Sequence, residues 1–412
     1  MFSESDSFQN QHSDYNLIRN IFNTKNIGMI LDEKIKPDDY VENMINLTKT
    51  QSKSDIRKCI EKNDIDFIDF MMKIGAKLKY ISSGTTGHFF RCTIYDNPNS
   101  PDKKIICRFA LKVAAYVKNQ RYKNVYELSR PENSEIKMLS LLSEFVLENQ
   151  TTHLILPICT FYSPIYQFIK MYKTKLITPE IDKKGKFKEF VTKYEKGYFE
   201  DKVSILISEL ATGGDFLAFI RQNKDKLTAM HWKIFMFQII STLAVIQNKY
   251  PSFRHNDLKA NNILVDITNT DFDIDNKNLY EYMVCNKSYI IPDTGITLKI
   301  WDFDFACIPN ICENIKVHEN WTKRINITIA KNQYYDIHYF LRTLVSKAFF
   351  SEIITSDDIK YKELKSFINR IIPPRYYKGE NVTANGRLLV NTEFTTPLKI
   401  LETDKYFDCF RK

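Results

Sequence analysis

A chain of 412 residues that is 43% hydrophobic, with 29 Phe and 23 Tyr, has enough apolar surface to bury a sizeable core, which excludes disorder throughout. With only 11 Gly and 13 Pro it is neither collagen-like nor of Pro/Gly low complexity. The formal net charge of +9 favours solubility and admits an acidic partner without identifying one. The start, Met1-Phe2-Ser3-Glu4, has neither a basic segment nor an apolar one, and the 8 Cys include no Cys-x-x-Cys pair. The expectation is therefore a protein that is not secreted, in a reducing compartment, without a disulfide framework or a zinc site. No membrane span is expected: residues 149–169 are interrupted by Pro157 and Pro164, and the apolar run 234–247 is too short.

Residues 1–75 read as a polar, helical extension, with Asp39 and Glu42 as a helix-start signature before Val41, Met44 and Ile45. From there the period changes. Leu78 and Tyr80, then Phe90, Cys92 and Ile94, predict two strands around a Ser/Gly/Thr turn, and 105–113 predicts a third. Residues 135–146 are predicted helical, with Ile136, Leu139, Leu142 and Phe145 on one face, and further strands are expected over 153–162 and 203–210. After Gly213-Gly214 the pattern is helical, first over 215–222 and then over 228–249, where Trp232, Phe235, Ile239, Leu243 and Ile246 form a stripe. Two stretches read as solvated insertions: 163–202, with 10 Lys against 6 Asp or Glu, and the Asn/Asp-rich 266–295. The expected organisation is an extension over 1–75, a strand-rich part over 76–210 and a helix-rich part over 211–412.

The chemistry concentrates in Arg254-His255-Asn256-Asp257-Leu258-Lys259-Ala260-Asn261-Asn262, followed by Trp301-Asp302-Phe303-Asp304-Phe305. Phosphoryl transfer needs a carboxylate to orient the attacking hydroxyl, a cation for the charge on the moving group, and oxygen ligands for the magnesium that bridges the phosphates. Asp257, Lys259, Asn262 and Asp302 supply these in that order. Any one of them alone would be an ordinary polar residue.

As a group they resemble the eukaryotic-type protein kinases. The resemblance implies an α+β, bilobal kinase-like fold, with a strand-rich N-lobe, a truncated helical C-lobe and the helical N-terminal extension. It implies Asp257 as catalytic base, Lys259 at the γ-phosphate, and Asn262 and Asp302 as ligands of Mg²⁺, for which Mn²⁺ could substitute. Upstream, Ser82-Ser83-Gly84-Thr85-Thr86-Gly87 is similar to the phosphate-covering Gly-x-Gly-x-x-Gly turn, with Ser82 in the first Gly position. An ordinary hairpin turn explains those residues equally well. Phe89 would then roof the adenine. Phe109-Ala110-Leu111-Lys112-Val113 is similar to the Val-Ala-Ile-Lys strand, and a Lys in so apolar a strand needs a partner. Glu135 has the family's spacing for it, with Glu132 as the fallback. In the segment 205–215, Ser208 would be the gatekeeper, the backbones of Glu209 and Ala211 would meet the adenine edge, and Asp215 would reach the ribose. Leu264 would floor the purine, and Asp336 would hold the catalytic-loop backbone.

Departures from the pattern narrow the resemblance. Asn256 replaces the usual Arg, so a phosphate on the following segment would lack its receptor. Residues 304–334 contain no Ser, and their only Thr are Thr322 and Thr328. Asp304 stands where Gly is usual, which should stiffen the segment and add a second carboxylate near the metals. No Ala-Pro-Glu precedes Asp336. Asp302-Phe303-Asp304-Phe305 and Tyr334-Tyr335-Asp336-Ile337-His338-Tyr339-Phe340 are most like the serine/threonine kinases of poxviruses and other large DNA viruses. That resemblance implies ATP as phosphoryl donor, protein substrates that are basic or belong to the virion, a role in virion assembly, and a location in host cytoplasm and virion. Outside a virus the expectation is cytoplasmic. Nothing in the sequence supports nucleic-acid binding or fixes an oligomeric state. Two other readings stay open. A small-molecule kinase of the choline or aminoglycoside type also reads His-Asn-Asp, but Lys259 argues against it. A nucleotide-binding pseudokinase scaffold is suggested by Asn256, Ser82 and Asp304, but the retained ligand set argues against it.

Overall fold

In the computed structural model the described residues are 76–412 without 84–86, 96–101, 103, 120, 123, 174–181 and 183–184, together with Phe67 and Met71. The expectations for the extension lie outside them, save that Phe67 and Met71 are helical and buried; Gly84 also lies outside.

Five antiparallel strands, β1 (Ala76–Ser83), β2 (Gly87–Tyr95), β3 (Ile105–Val117), β4 (Pro157–Pro164) and β5 (Phe199–Ser208), form a sheet in the order β1-β2-β3-β5-β4. Successive side chains alternate between faces, so the register sorts them. Leu111, Ile207 and Cys159 make one buried cross-strand row, and Val113, Ile205 and Phe161 make the next. Phe89, Ala110, Lys112, Leu206 and Ser208 share the opposite face.

Two helices inside the Lys-rich insertion, α2 (Tyr166–Lys173) and α3 (Lys186–Glu195), correct the expectation of a solvated loop. Phe168 of α2 stacks on Phe67 at 5.0 Å, and Phe67 lies 6.4 Å from Phe161 of the sheet. In α3, Phe187, Phe190 and Val191 recur at helical spacing and are buried, while Lys186, Lys188 and Lys193 are exposed. His88 packs against the rings of Phe187 and Phe190 at 4.7 and 4.6 Å. Burial pushes the His88 imidazole down to about 4, against the opposing charge of Asp182. The lysine count hid an apolar stripe that needed the sheet beneath it to become visible.

The helix α1 (Pro131–Leu147) opens on Pro, whose missing N–H costs nothing at that position. Compactness divides the chain within this helix. One unit holds the sheet, with Leu156–Leu210 and the described residues up to Ile136. The other holds Lys137–Ile155 and Ala211–Lys412, so residues 137–155 group with the helix-rich unit rather than with 76–210.

In the helix-rich unit, Asp215 caps α4 (Phe216–Asn223), accepting from the Ala218 N–H at 2.9 Å, and Thr228 with His231 forms a capping box for α5 (Ala229–Lys249). By length and composition α5 could cross a membrane, yet 83% of its most apolar window is buried inside the fold, as the central helix of a core would be. The short pair β6 (Ile263–Ile267) and β9 (Ile296–Ile300) encloses a hairpin of β7 (Asp275–Val284) and β8 (Lys287–Asp293). Cys285 and Asn286 both adopt left-handed backbone at the hairpin tip, which suits a two-residue turn. Tyr282 and Tyr289 lie 5.3 Å from Phe237 of α5. The hairpin within 266–295 therefore packs Tyr282, Val284, Tyr289 and Ile291 into the core, while residues 268–271 and Met283 are exposed. Beyond it come α6 (Asn320–Arg324), α7 (Tyr335–Leu344), α8 (Glu352–Thr355), α9 (Ile359–Ile371), α10 (Pro374–Tyr377) and α11 (Pro397–Thr403). A sheet unit and a mainly helical unit make the chain α+β and kinase-like.

Candidate active site

In the sheet unit, Lys112 of β3 donates to both carboxylate oxygens of Glu135 on α1, at 2.6 and 2.5 Å, with both side chains about 95% buried. Glu135, not Glu132, is the partner across the sheet's inner face. Lys112 also lies 5.5 Å from the Phe89 ring, its cross-strand neighbour. Ala110 is half-buried on the same face, and Ser82 pairs with Phe89 at the exposed end of β1. A Cβ at Gly87 would fall 2.9 Å from Lys112 Cε, so only glycine lets the hairpin approach the lysine stem this closely.

Glu209 directly follows β5. Its N–H donates to Leu156 O at 3.0 Å and its carboxylate accepts from Leu156 N–H at 2.7 Å. In the helix-rich unit, Ala211 is half-buried before the turn at Gly213 and Gly214. Gly213 N–H donates to Val265 O at 2.7 Å, and a Cβ there would meet that oxygen at 2.9 Å. Asp215 bridges to Leu264, but its carboxylate is used in capping α4.

The segment 254–262 is held from three sides. The buried Asp336 of α7 accepts from the N–H groups of His255 and Asn256 at 2.7 and 2.9 Å. Burial pushes the Asp336 carboxyl up, while His255, Arg254 and the two N–H donors act against this. His255 Nε2 bonds Trp301 O at 3.0 Å, and Arg254 exchanges backbone hydrogen bonds with Cys307. Asn256 is left-handed, which turns the chain before Asp257.

Asp257 is 7% exposed. Its Oδ2 accepts from Lys259 Nζ at 2.8 Å and from Asn262 Nδ2 at 3.1 Å, and its Oδ1 accepts from Arg387. Burial alone would raise this carboxyl, but the cations of Lys259 and Arg387 outweigh it and hold the group below its ordinary range. The site thus keeps an ionised, oriented carboxylate, which a general base requires. The Nδ2 of Asn262 is fixed by Asp257, while its side-chain oxygen takes no part in those bonds. Pairing of Ile263 with Ile300 and a Trp301 N–H bond to Asn262 O at 3.1 Å bring Asp302 alongside, on left-handed backbone. No group of three or more His, Cys, Asp or Glu suited to a metal occurs among the described residues. One amide oxygen and one carboxylate fit magnesium, which takes its remaining ligands from phosphates and water.

The structure corrects the expectation for Asp304. Its carboxylate is an ion pair with Lys316, and its carbonyl accepts from Asn314 Nδ2 at 2.8 Å, so it is not a spare carboxylate for metal. Two arginines escaped the sequence reading. Arg254 donates to Asn326 O at 2.6 Å, Thr328 Oγ1 at 3.2 Å and Ala330 O at 3.3 Å, and stacks on Tyr335 at 3.6 Å. It anchors the following segment through main-chain carbonyls and the Thr328 hydroxyl, together with Asn256, whose Nδ2 donates to Phe305 O and Thr328 O at 3.1 and 3.2 Å. It lies two residues before the motif's usual Arg position, so its placement next to a catalytic motif was the available signal. Arg387 gave none.

A sequence model of the poxvirus serine/threonine protein kinases matches residues 105–382. Two proteins of Acanthamoeba polyphaga mimivirus, each named "putative serine/threonine-protein kinase", also align. One is 43% identical over 369 residues, 89% of this chain and 76% of its own. The other is 27% identical over 364 residues, 79% of this chain and 87% of its own. With the match running from β3 through Asp257, Asp302 and Asp336, the chain belongs to the poxvirus serine/threonine protein kinase family.

Proposed function

We propose that the chain transfers the γ-phosphoryl group of ATP to Ser or Thr hydroxyls of proteins, with magnesium held by Asn262 and Asp302. The observation that carries this reading is the Asp257 carboxylate, buried yet kept ionised by neighbouring cations, with the Asn262 amide fixed against it. Asp257 would accept the hydrogen bond of the attacking hydroxyl and take its proton as the new oxygen–phosphorus bond forms and the bond from the γ-phosphorus to the bridging β,γ-oxygen breaks, with ADP leaving. Lys259 would shift its ammonium toward the developing charge. In the sheet unit, Lys112, fixed by Glu135, would hold the donor's phosphates, with Gly87 and Phe89 beside it and Ala110 and Glu209 contacting the nucleoside; in the helix-rich unit, Ala211, Asp215 and Leu264 are the residues we assign to nucleoside contact. Asn262 and Asp302 would hold magnesium, which would supply neutralisation of the phosphate charge. Most of the rate gain would come from positioning and electrostatics. Basic proteins and virion proteins are the substrate classes we put first, and virion assembly is the process.

The test is transfer of label from γ-labelled ATP, with magnesium, to basic proteins and in parallel to small amino alcohols. Phosphoserine or phosphothreonine is expected with the wild type. With Asp257→Asn, transfer should fall by about 10³-fold or more while ATP binding stays within about threefold. Label on the amino alcohols alone would favour a small-molecule kinase, and ATP binding without any transfer would favour a scaffold.

A further inference from the structure

Arg387 lies outside the residues matched by the family model, 130 positions from Asp257, and is 8% exposed. Its guanidinium donates to Asp257 Oδ1 and to Asn256 O, lies 4.1 Å from the Tyr339 ring, and reaches the Tyr335 hydroxyl at 3.4 Å. We propose that Arg387 is a positioning residue for phosphoryl transfer, holding the Asp257 carboxylate plane in the orientation that receives the acceptor hydroxyl. This rests on the kinase reading and deepens it.

Three features of the geometry support the role. Lys259 and Asn262 both approach Oδ2, which restrains rotation about the Asp257 Cβ–Cγ bond from one oxygen only. Arg387 takes the other oxygen, so the carboxylate plane is held from both sides. A planar guanidinium that also grips the neighbouring backbone carbonyl fixes direction, which a single ammonium cannot. The third feature is the support behind the arginine. Arg387 N–H donates to Thr383 Oγ1 and Thr383 N–H to Arg387 O, both at 2.9 Å. Gly386 in that turn is left-handed, and a Cβ there would sit 2.7 Å from Arg342 Cγ. Asn326 and Asn332 donate to Leu388 O and Val390 O at 3.0 and 3.3 Å. Segment 382–390 is thus fastened to the segment that Arg254 also anchors. A latch meant to release would be poorly served by so many ties. A buried ion pair adds little net stability compared with apolar packing, so three polar groups around one carboxylate argue for aim over strength.

The experiment uses the full chain with Arg387→Met, Arg387→Lys, Asp257→Asn and the double variant Asp257→Asn/Arg387→Met. Arg387→Met should lower kcat about 10²-fold with KM for ATP within about twofold, as expected when a reacting group is misplaced. Arg387→Lys should recover part of the loss, and added guanidinium ion should rescue Arg387→Met but not Asp257→Asn. Urea midpoints of the wild type, Arg387→Met, Asp257→Asn and the double variant should be non-additive, since groups in contact couple. Turnover of Arg387→Met equal to or above the wild type would overturn the inference, as would a raised KM for ATP with no guanidinium rescue, or additive midpoints. A wild type that transfers nothing would overturn the kinase reading itself, whereas an active wild type with an unimpaired Arg387→Met overturns only the role of Arg387.

Discussion

Lys112 in the sheet unit and Asp257 in the helix-rich unit are both charged side chains buried below 10% exposure, yet their surroundings differ in kind. Lys112 is taken by both oxygens of the Glu135 carboxylate, 23 positions away. Asp257 is shared among Lys259, Asn262 and Arg387. A one-to-one pair balances charge and places one ammonium. A carboxylate with cations on both oxygens is held ionised and aimed, and it is overdetermined in a way the pair is not. Removing one partner should therefore hurt stability more at the pair than at the shared carboxylate, where the remaining partners still hold the charge.

The largest effect that would break this contrast lies at the pair. Lys112→Met removes the ammonium that Glu135 holds with both oxygens in a buried setting, and should cost about 3–5 kcal/mol in urea unfolding together with a loss of transfer of about 10²-fold or more. Replacing both members, Lys112→Met with Glu135→Met, should return most of the stability and none of the turnover. If the double change left stability as low as the single one, the pair would not be the compensated unit described here.

A smaller effect compares one imidazole in each unit. Burial holds His88 in the sheet unit and His338 in the helical unit down to about 4. Since the unfolded chain binds these protons first, near the ordinary 6.5, the stabilisation is complete above that value and is lost as pH falls toward about 4. By pH 5 each ring should have cost roughly 1–2 kcal/mol. His88→Gln and His338→Gln should each flatten the fall in thermal midpoint between pH 7 and pH 5, and an unchanged slope in both would contradict their buried neutral state. The smallest effect is a predicted null. Because Arg254 tethers residues 326–330 through main-chain carbonyls and the Thr328 hydroxyl, phosphatase treatment should alter turnover by less than about twofold. A large loss would mean that Thr322 or Thr328 carries a required phosphate.

What was legible in the sequence follows the same division. Lys112, Glu135, Asp257, Lys259 and Asn262 sit in short strings whose spacing is set by one strand, one helix or one turn, so local pattern carried them. The helices of the Lys-rich insertion were missed because α3 shows its apolar stripe of Phe187, Phe190 and Val191 only against a surface to bury it. The β7–β8 hairpin was missed because its turn is Cys285-Asn286 and not an Asn-Gly pair. Asp304 was misjudged because its partner, Lys316, is brought in by the fold and not by the motif. Arg387 is the extreme case: a residue 130 positions away, on a short turn, has no local signature to read.

The most direct measurement is a structure of the chain with magnesium and a non-hydrolysable ATP analogue. It should place Lys112 Nζ on the phosphates, Asn262 and Asp302 on the metal, and Asp257 facing the γ-phosphate with Arg387 still on its Oδ1. A nucleotide bound away from Lys112, or a metal that ignores Asn262 and Asp302, would contradict the assignment of these residues to phosphoryl transfer.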